Sequence, residues 1–129
     1  MTDATDLTVL ADRLLALMMD AEPLEATLMG FRDRDGRLAD LSSEHEATVA
    51  EAARAIGAQA RAVAPETLSA QDRLTREVII TQTDLVDESR LVEALDFTVA
   101  AFPVSPSSIL LAYVRLVVVT DSEQAQAYL

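Results

Sequence analysis

Ser43-Glu44-His45-Glu46-Ala47-Thr48-Val49-Ala50-Glu51-Ala52-Ala53-Arg54-Ala55-Ile56-Gly57-Ala58-Gln59-Ala60-Arg61-Ala62-Val63-Ala64-Pro65 is the stretch whose reading decides the fold. Ser43 followed by Glu46 reads as a capping box, in which each side chain satisfies a backbone N–H left open at a helix start. Val49, Ala53, Ile56, Ala60 and Val63 then recur at three- and four-residue steps, which lines them along one stripe of a helix. The stripe is rich in small residues, so a neighbouring helix can come close. Pro65 cannot continue the hydrogen-bond ladder and stops it.

The same periodicity extends to either side. Upstream, Leu7, Leu10, Leu14, Leu17, Met18 and Ala21 mark a first helix, Glu22-Pro23 interrupts it, and a short second helix runs to about Gly30. Residues 31–41 are charged and irregular, with Gly36 where a turn needs positive φ. Downstream, Ser69 and Asp72 form a second box, and Leu74, Val78, Leu85, Val92 and Leu95, flanked by Ile79 and Val86, define a long fourth helix. The stretch 97–104 is extended in character, because Pro103 biases its predecessor away from helix. Ser105-Pro106 opens another helix through Ile109, Leu110, Tyr113 and Leu116, while the β-branched run Val117 to Val119 leaves helix and strand both open. Thr120 and Glu123 form a third box before a final helix with no Gly, Asn or basic residue in its last turn. The expected fold is all-α, an irregular bundle of about five to six helices with a short extended crossing segment near 97–104. It is expected to form a single helical domain, 1–129, that is the amino-terminal portion of a larger helical protein.

Composition narrows the function. Of 129 residues half are hydrophobic but only 4% aromatic, so the core is aliphatic. The absence of cysteine removes disulfides, thiolate metal sites and cysteine nucleophiles, and makes the cytoplasm the expected location. A net charge of −12, with the ten basic residues scattered singly and all arginine, repels phosphate backbones and anionic lipid, so neither nucleic acid nor membrane is an expected partner. The acidic first residues do not resemble a secretory leader, and the apolar run from Ile109 to Val119 is broken by Arg115 and too short to span a bilayer.

Each candidate for chemistry has a plainer structural reading. His45 is the sole histidine, and Glu44-His45-Glu46 lacks the three- or four-residue spacing by which a helix gathers metal ligands; it reads as an exposed first-turn residue. Asp33-Arg34-Asp35-Gly36-Arg37-Leu38 echoes the middle of a calcium loop. With Gly36 at the sixth position, however, the first falls on Phe31 and the twelfth on Ser42, neither of them a carboxylate. Glu22 with Glu25, or Asp84 with Asp87 and Glu88, are pairs of carboxylates with nothing beside them to separate their roles as acid and base. Glu77, Asp84 and Glu88, with Arg73, Arg76 and Arg90 nearby, read as a solvated helix flank. Met18, Met19 and Met29 read as core filler before a binding groove. No catalytic, cofactor-binding or metal-binding residue is assigned.

Four segments taken in order carry a likeness: 20–30 (Asp20 to Gly30) with 35–42 (Asp35-Gly36-Arg37-Leu38-Ala39-Asp40-Leu41-Ser42), 68–77 (Leu68 to Glu77), the Phe102-Pro103-Val104 step, and 120–129 (Thr120 to Leu129). Together they resemble the amino-terminal signature of the bacterial domain-of-unknown-function family 885. Full-length members are large, mainly helical, zinc-metallopeptidase-like proteins with a His-Glu-x-x-His helix far downstream. That motif is absent here, so the resemblance implies a scaffold role, no catalytic residue and no cofactor in this chain, with zinc expected only in a missing downstream part. Ser105-Pro106-Ser107-Ser108 departs from the family's Gly- and Gln-containing run. The expected partner is the missing carboxyl-terminal portion, or a partner subunit, packing on 109–129. The alternative from the residues alone is a free-standing acidic helical interaction or dimerisation module.

Overall fold

Every regular element among the described residues, 4–89 and 106–127, is helical in this computed structural model. Six α helices follow in order: α1 (Ala4–Ala21), α2 (Pro23–Leu28), α3 (Ser43–Ala62), α4 (Ala70–Ser89), α5 (Pro106–Tyr113) and α6 (Ser122–Ala127). Short 3-10 turns lie at Arg32–Arg34, Pro65–Thr67 and Val114–Leu116. The all-α expectation holds, with six α helices among the described residues. The extended crossing segment anticipated at 97–104 lies outside the described residues, as do Val92 and Leu95 of the anticipated fourth-helix seam.

The chain divides into two compact units, Met1–Met18 with Leu41–Val92 and Met19–Asp40 with Glu93–Leu129, the division falling within α1. In the first, α1 contributes Leu7, Leu10 and Leu14 to a core completed by Ile56, Ala60 and Val63 from α3 and its end, Leu68, and Ile79 from α4. The alanine-rich stripe allows the expected close approach. A side chain on Gly57 would run into Thr83, whose Cβ lies 3.1 Å from the place a Gly57 Cβ would occupy.

The anticipated seam of α4 is corrected. Leu74, Val78 and Leu85 are about half or more exposed, at 59%, 50% and 52%, and the face turned to the core carries Ile79 and Thr83. Thr83 is tolerated there because its hydroxyl donates to the Ile80 carbonyl at 2.9 Å. Arg76 closes the carboxyl end of α3, donating from Nε to the Val63 carbonyl (3.0 Å) and from Nη2 to the Arg61 carbonyl (3.2 Å).

Side-chain caps stand at the three anticipated helix starts, two of them shifted by one position, but among the described residues Glu46 and Glu123 do not make the return bond of a capping box. Ser42, not Ser43, caps α3, accepting from the His45 N–H at 3.3 Å. Ser69 caps α4 as expected, accepting from the Asp72 N–H and donating to its carboxylate. At α6 the cap is Asp121, which accepts from the Gln124 N–H at 2.9 Å, while Gln124 reaches back to the Thr120 N–H at 2.8 Å. In both shifted cases two adjacent residues carry a capping oxygen, and the helix begins one position away from the sequence reading.

Candidate functional site

In the second unit the charged loop folds back on the residues before it. Asp20 pairs with Arg34 (3.3 Å to Nε) and Arg37 (3.2 Å to Nη1). Asp35 accepts from the Thr27 hydroxyl at 2.9 Å and lies 3.1 Å from Arg32 Nε, with its carboxylate nearly buried; Asp33 pairs with Arg34. The carboxylates that suggested a calcium loop are therefore neutralised by guanidiniums of the same loop, which leaves no cluster of free oxygens for a hard cation. Gly36 takes φ 76° and Gly30 φ 94°, left-handed values that suit glycine and let the loop turn twice within seven residues. Arg32 also donates to the Val118 carbonyl at 3.1 Å, which ties the loop to the carboxyl-terminal segment.

α2, this loop, α5 and the 3-10 turn that follows α5 border an open cavity of about 410 Å³. Its wall is Leu24, Leu38, Leu110, Leu111 and Val114, with Thr27, Gly36, Arg37 and Arg115. Periodicity does not announce this cavity, because it forms only when 24–38 and 110–115 meet. The carboxyl-terminal apolar run is helical to Tyr113, turns as a 3-10 segment through Leu116 and then has no regular structure from Val117 to Thr120. Leu111, Leu116 and Val118 stand 66%, 61% and 67% exposed.

His45 lies in the first turn of α3 as expected but is half-buried rather than exposed, and its Nε2 is buried without a hydrogen-bond partner. Met19 is buried, Met18 packs against the core and Met29 is 64% exposed, so the three methionines do not form one groove. Glu22, just ahead of α2 and still partly exposed, has its carboxyl raised above its ordinary value, first by partial burial and then by the charge of Glu25. Arg61 Nη2 donates to both carboxylate oxygens of Asp84 across α3 and α4, and Glu77 pairs with Arg76, as a helix flank would.

Among the described residues no group of three or more His, Asp or Glu side chains is placed to hold a metal ion. With one histidine in the whole sequence, the residues present do not fit a catalytic zinc. No helix of the described residues is long and apolar enough to cross a membrane. Compared with known proteins, the chain matches no family model, no curated protein and no solved structure.

Proposed function

We propose that the chain is a non-catalytic helical scaffold: the amino-terminal segment of a larger, cytoplasmic, bacterial protein resembling domain-of-unknown-function family 885, with a metallopeptidase-like carboxyl-terminal portion packing on 109–129. The exposure of Leu111, Leu116 and Val118 carries this reading. Fully burying a Leu or Val contributes roughly 1.5–3 kcal/mol, and a run of three left in water forgoes that gain until another polypeptide covers it. The ordered likeness at 20–42, 68–77 and 120–129 supports it as well. Its first two segments supply the Asp20, Thr27, Asp35 and Arg37 contacts of the loop and the Ser69 cap, which are structural roles.

The test compares this chain with a version extended through the reading frame that follows Leu129. Hydrogen exchange at 109–119 should slow at least tenfold in the longer protein, and neither zinc nor peptidase activity should remain with the 129-residue chain. A reading frame that stops at Leu129, with a monodisperse monomer already protected at these amides, overturns the proposal. Protection that rises with protein concentration, together with a dimer by light scattering, replaces it with the dimerisation module.

A further inference from the structure

The cavity beside the charged loop has an unusual lining for so acidic a chain. Five of its nine lining residues are aliphatic, and both of its ionised side chains are arginines. Arg37 is already engaged by Asp20, but among the described residues Arg115 makes no ion pair or hydrogen bond. An apolar wall with a guanidinium on it is complementary to a ligand with a hydrocarbon body and one anionic end. The volume falls near the lower end of the roughly 300–1,000 Å³ of small-molecule sites, which suits a single aliphatic chain and not a folded cofactor.

We propose that this cavity binds a medium-chain aliphatic carboxylate, with the hydrocarbon against Leu24, Leu38, Leu110, Leu111 and Val114 and the carboxylate on Arg115. Planar guanidinium and planar carboxylate can meet through two parallel hydrogen bonds. The Thr27 hydroxyl is committed to Asp35 and the Arg37 charge is shared with Asp20, which leaves Arg115 as the group that selects the anion. The inference does not rest on the scaffold reading: both use Leu111, but the ligand is tested on the 129-residue chain, where Leu111 is exposed, whereas the scaffold reading concerns a longer protein in which it is covered.

The probe is sodium decanoate, titrated below its micelle concentration into the 129-residue chain carrying labelled Leu and Val methyls. Saturable shifts should gather on the five aliphatic residues of the wall. Decanol, with the same chain and no charge, should bind about tenfold more weakly, as should decanoate to Arg115→Gln, with Arg115→Lys recovering part of the loss. Decanoate that shifts no wall methyl overturns the proposal. So does decanol binding as tightly as decanoate, or Arg115→Gln leaving the affinity unchanged; either would mean that Arg115 only lays its stem along an apolar wall. Arg115 is exposed, so its replacement leaves the fold intact, and an unchanged spectrum of the unliganded variant verifies that.

Discussion

In the unit that holds α3 and α4, leucines from α1 are buried against Ile56, Ala60 and Ile79, and two twenty-residue helices approach closely enough to need a glycine at the crossing. In the unit that holds α2 and α5, the helices have six and eight residues, Met19, Pro23, Ala26 and Thr27 are buried, and Leu38, Leu111, Leu116 and Val118 stand in water. There the chain is held by Asp20, Asp35 and their arginines, and by Arg32 on the Val118 carbonyl. Both regions are rich in aliphatic residues, so hydrophobic content does not separate them. The presence of an opposing apolar face does. Exposed ion pairs such as Asp20–Arg37 contribute at most about 1 kcal/mol each, whereas a buried aliphatic side chain contributes more. The first unit should therefore carry most of the stability, and the second should be free to accept another surface.

The sharpest contrast comes from shortening one aliphatic side chain in each unit. Ile79→Ala, at 2% exposure, should lose about 2–5 kcal/mol, from transfer of the removed methyls and from the cavity they leave. Leu111→Ala should change stability by less than about 0.5 kcal/mol. Urea unfolding of both variants checks the pair, and equal losses would erase the distinction between the two units.

A smaller effect of unexpected sign should appear at Gly57. In a solvated helix, Ala in place of Gly gains about 1 kcal/mol. Here the added Cβ would meet Thr83, a β-branched residue that is fully buried and stiff at χ1, so Gly57→Ala should instead destabilise by about 1–3 kcal/mol. Thr83→Ala in the same chain should recover part of that loss in a double-mutant cycle; strict additivity would mean that the helices are not held apart at this point.

These positions also mark how far the sequence can be read. The α1 stripe and the small-residue stripe of α3 were legible, because a single face of each is apolar and a helix repeats every 3.6 residues. On α4 two faces compete: Leu74, Val78 and Leu85 make the more conspicuous stripe, yet the core takes the face with Ile79 and a threonine. A buried hydroxyl bonded within its own helix has no apolar signature, so the pattern pointed to the wrong side. Helix starts were legible to within one residue, since Ser42 and Ser43, or Thr120 and Asp121, offer equivalent oxygens. In the loop the charges were visible, but their partners were not. Whether Asp35 faces a cation or the Thr27 hydroxyl depends on how the chain turns at Gly30 and Gly36. The cavity was beyond sequence reading altogether, because its two walls lie more than seventy positions apart.

The smallest expected effect sharpens the account of the second unit through a group that its fold disfavours. The Glu22 carboxyl is raised above its ordinary value of 4.5, first by burial and second by the neighbouring Glu25 charge. The folded protein therefore holds this proton more tightly than the unfolded chain does. Its contribution to stability is fully present below the ordinary value and is lost as pH rises through the raised folded value, so near neutrality the charged group slightly opposes folding. Glu22→Gln, which keeps the shape and removes the charge, should be a little more stable than the parent at neutral pH. Between the two values of the carboxyl pKa, its stability should fall less steeply as pH rises. Urea unfolding of both proteins across mildly acidic pH measures this. Parallel profiles would mean that Glu22 is as well solvated in the fold as in the open chain, and that the turn between α1 and α2 puts no burden on it.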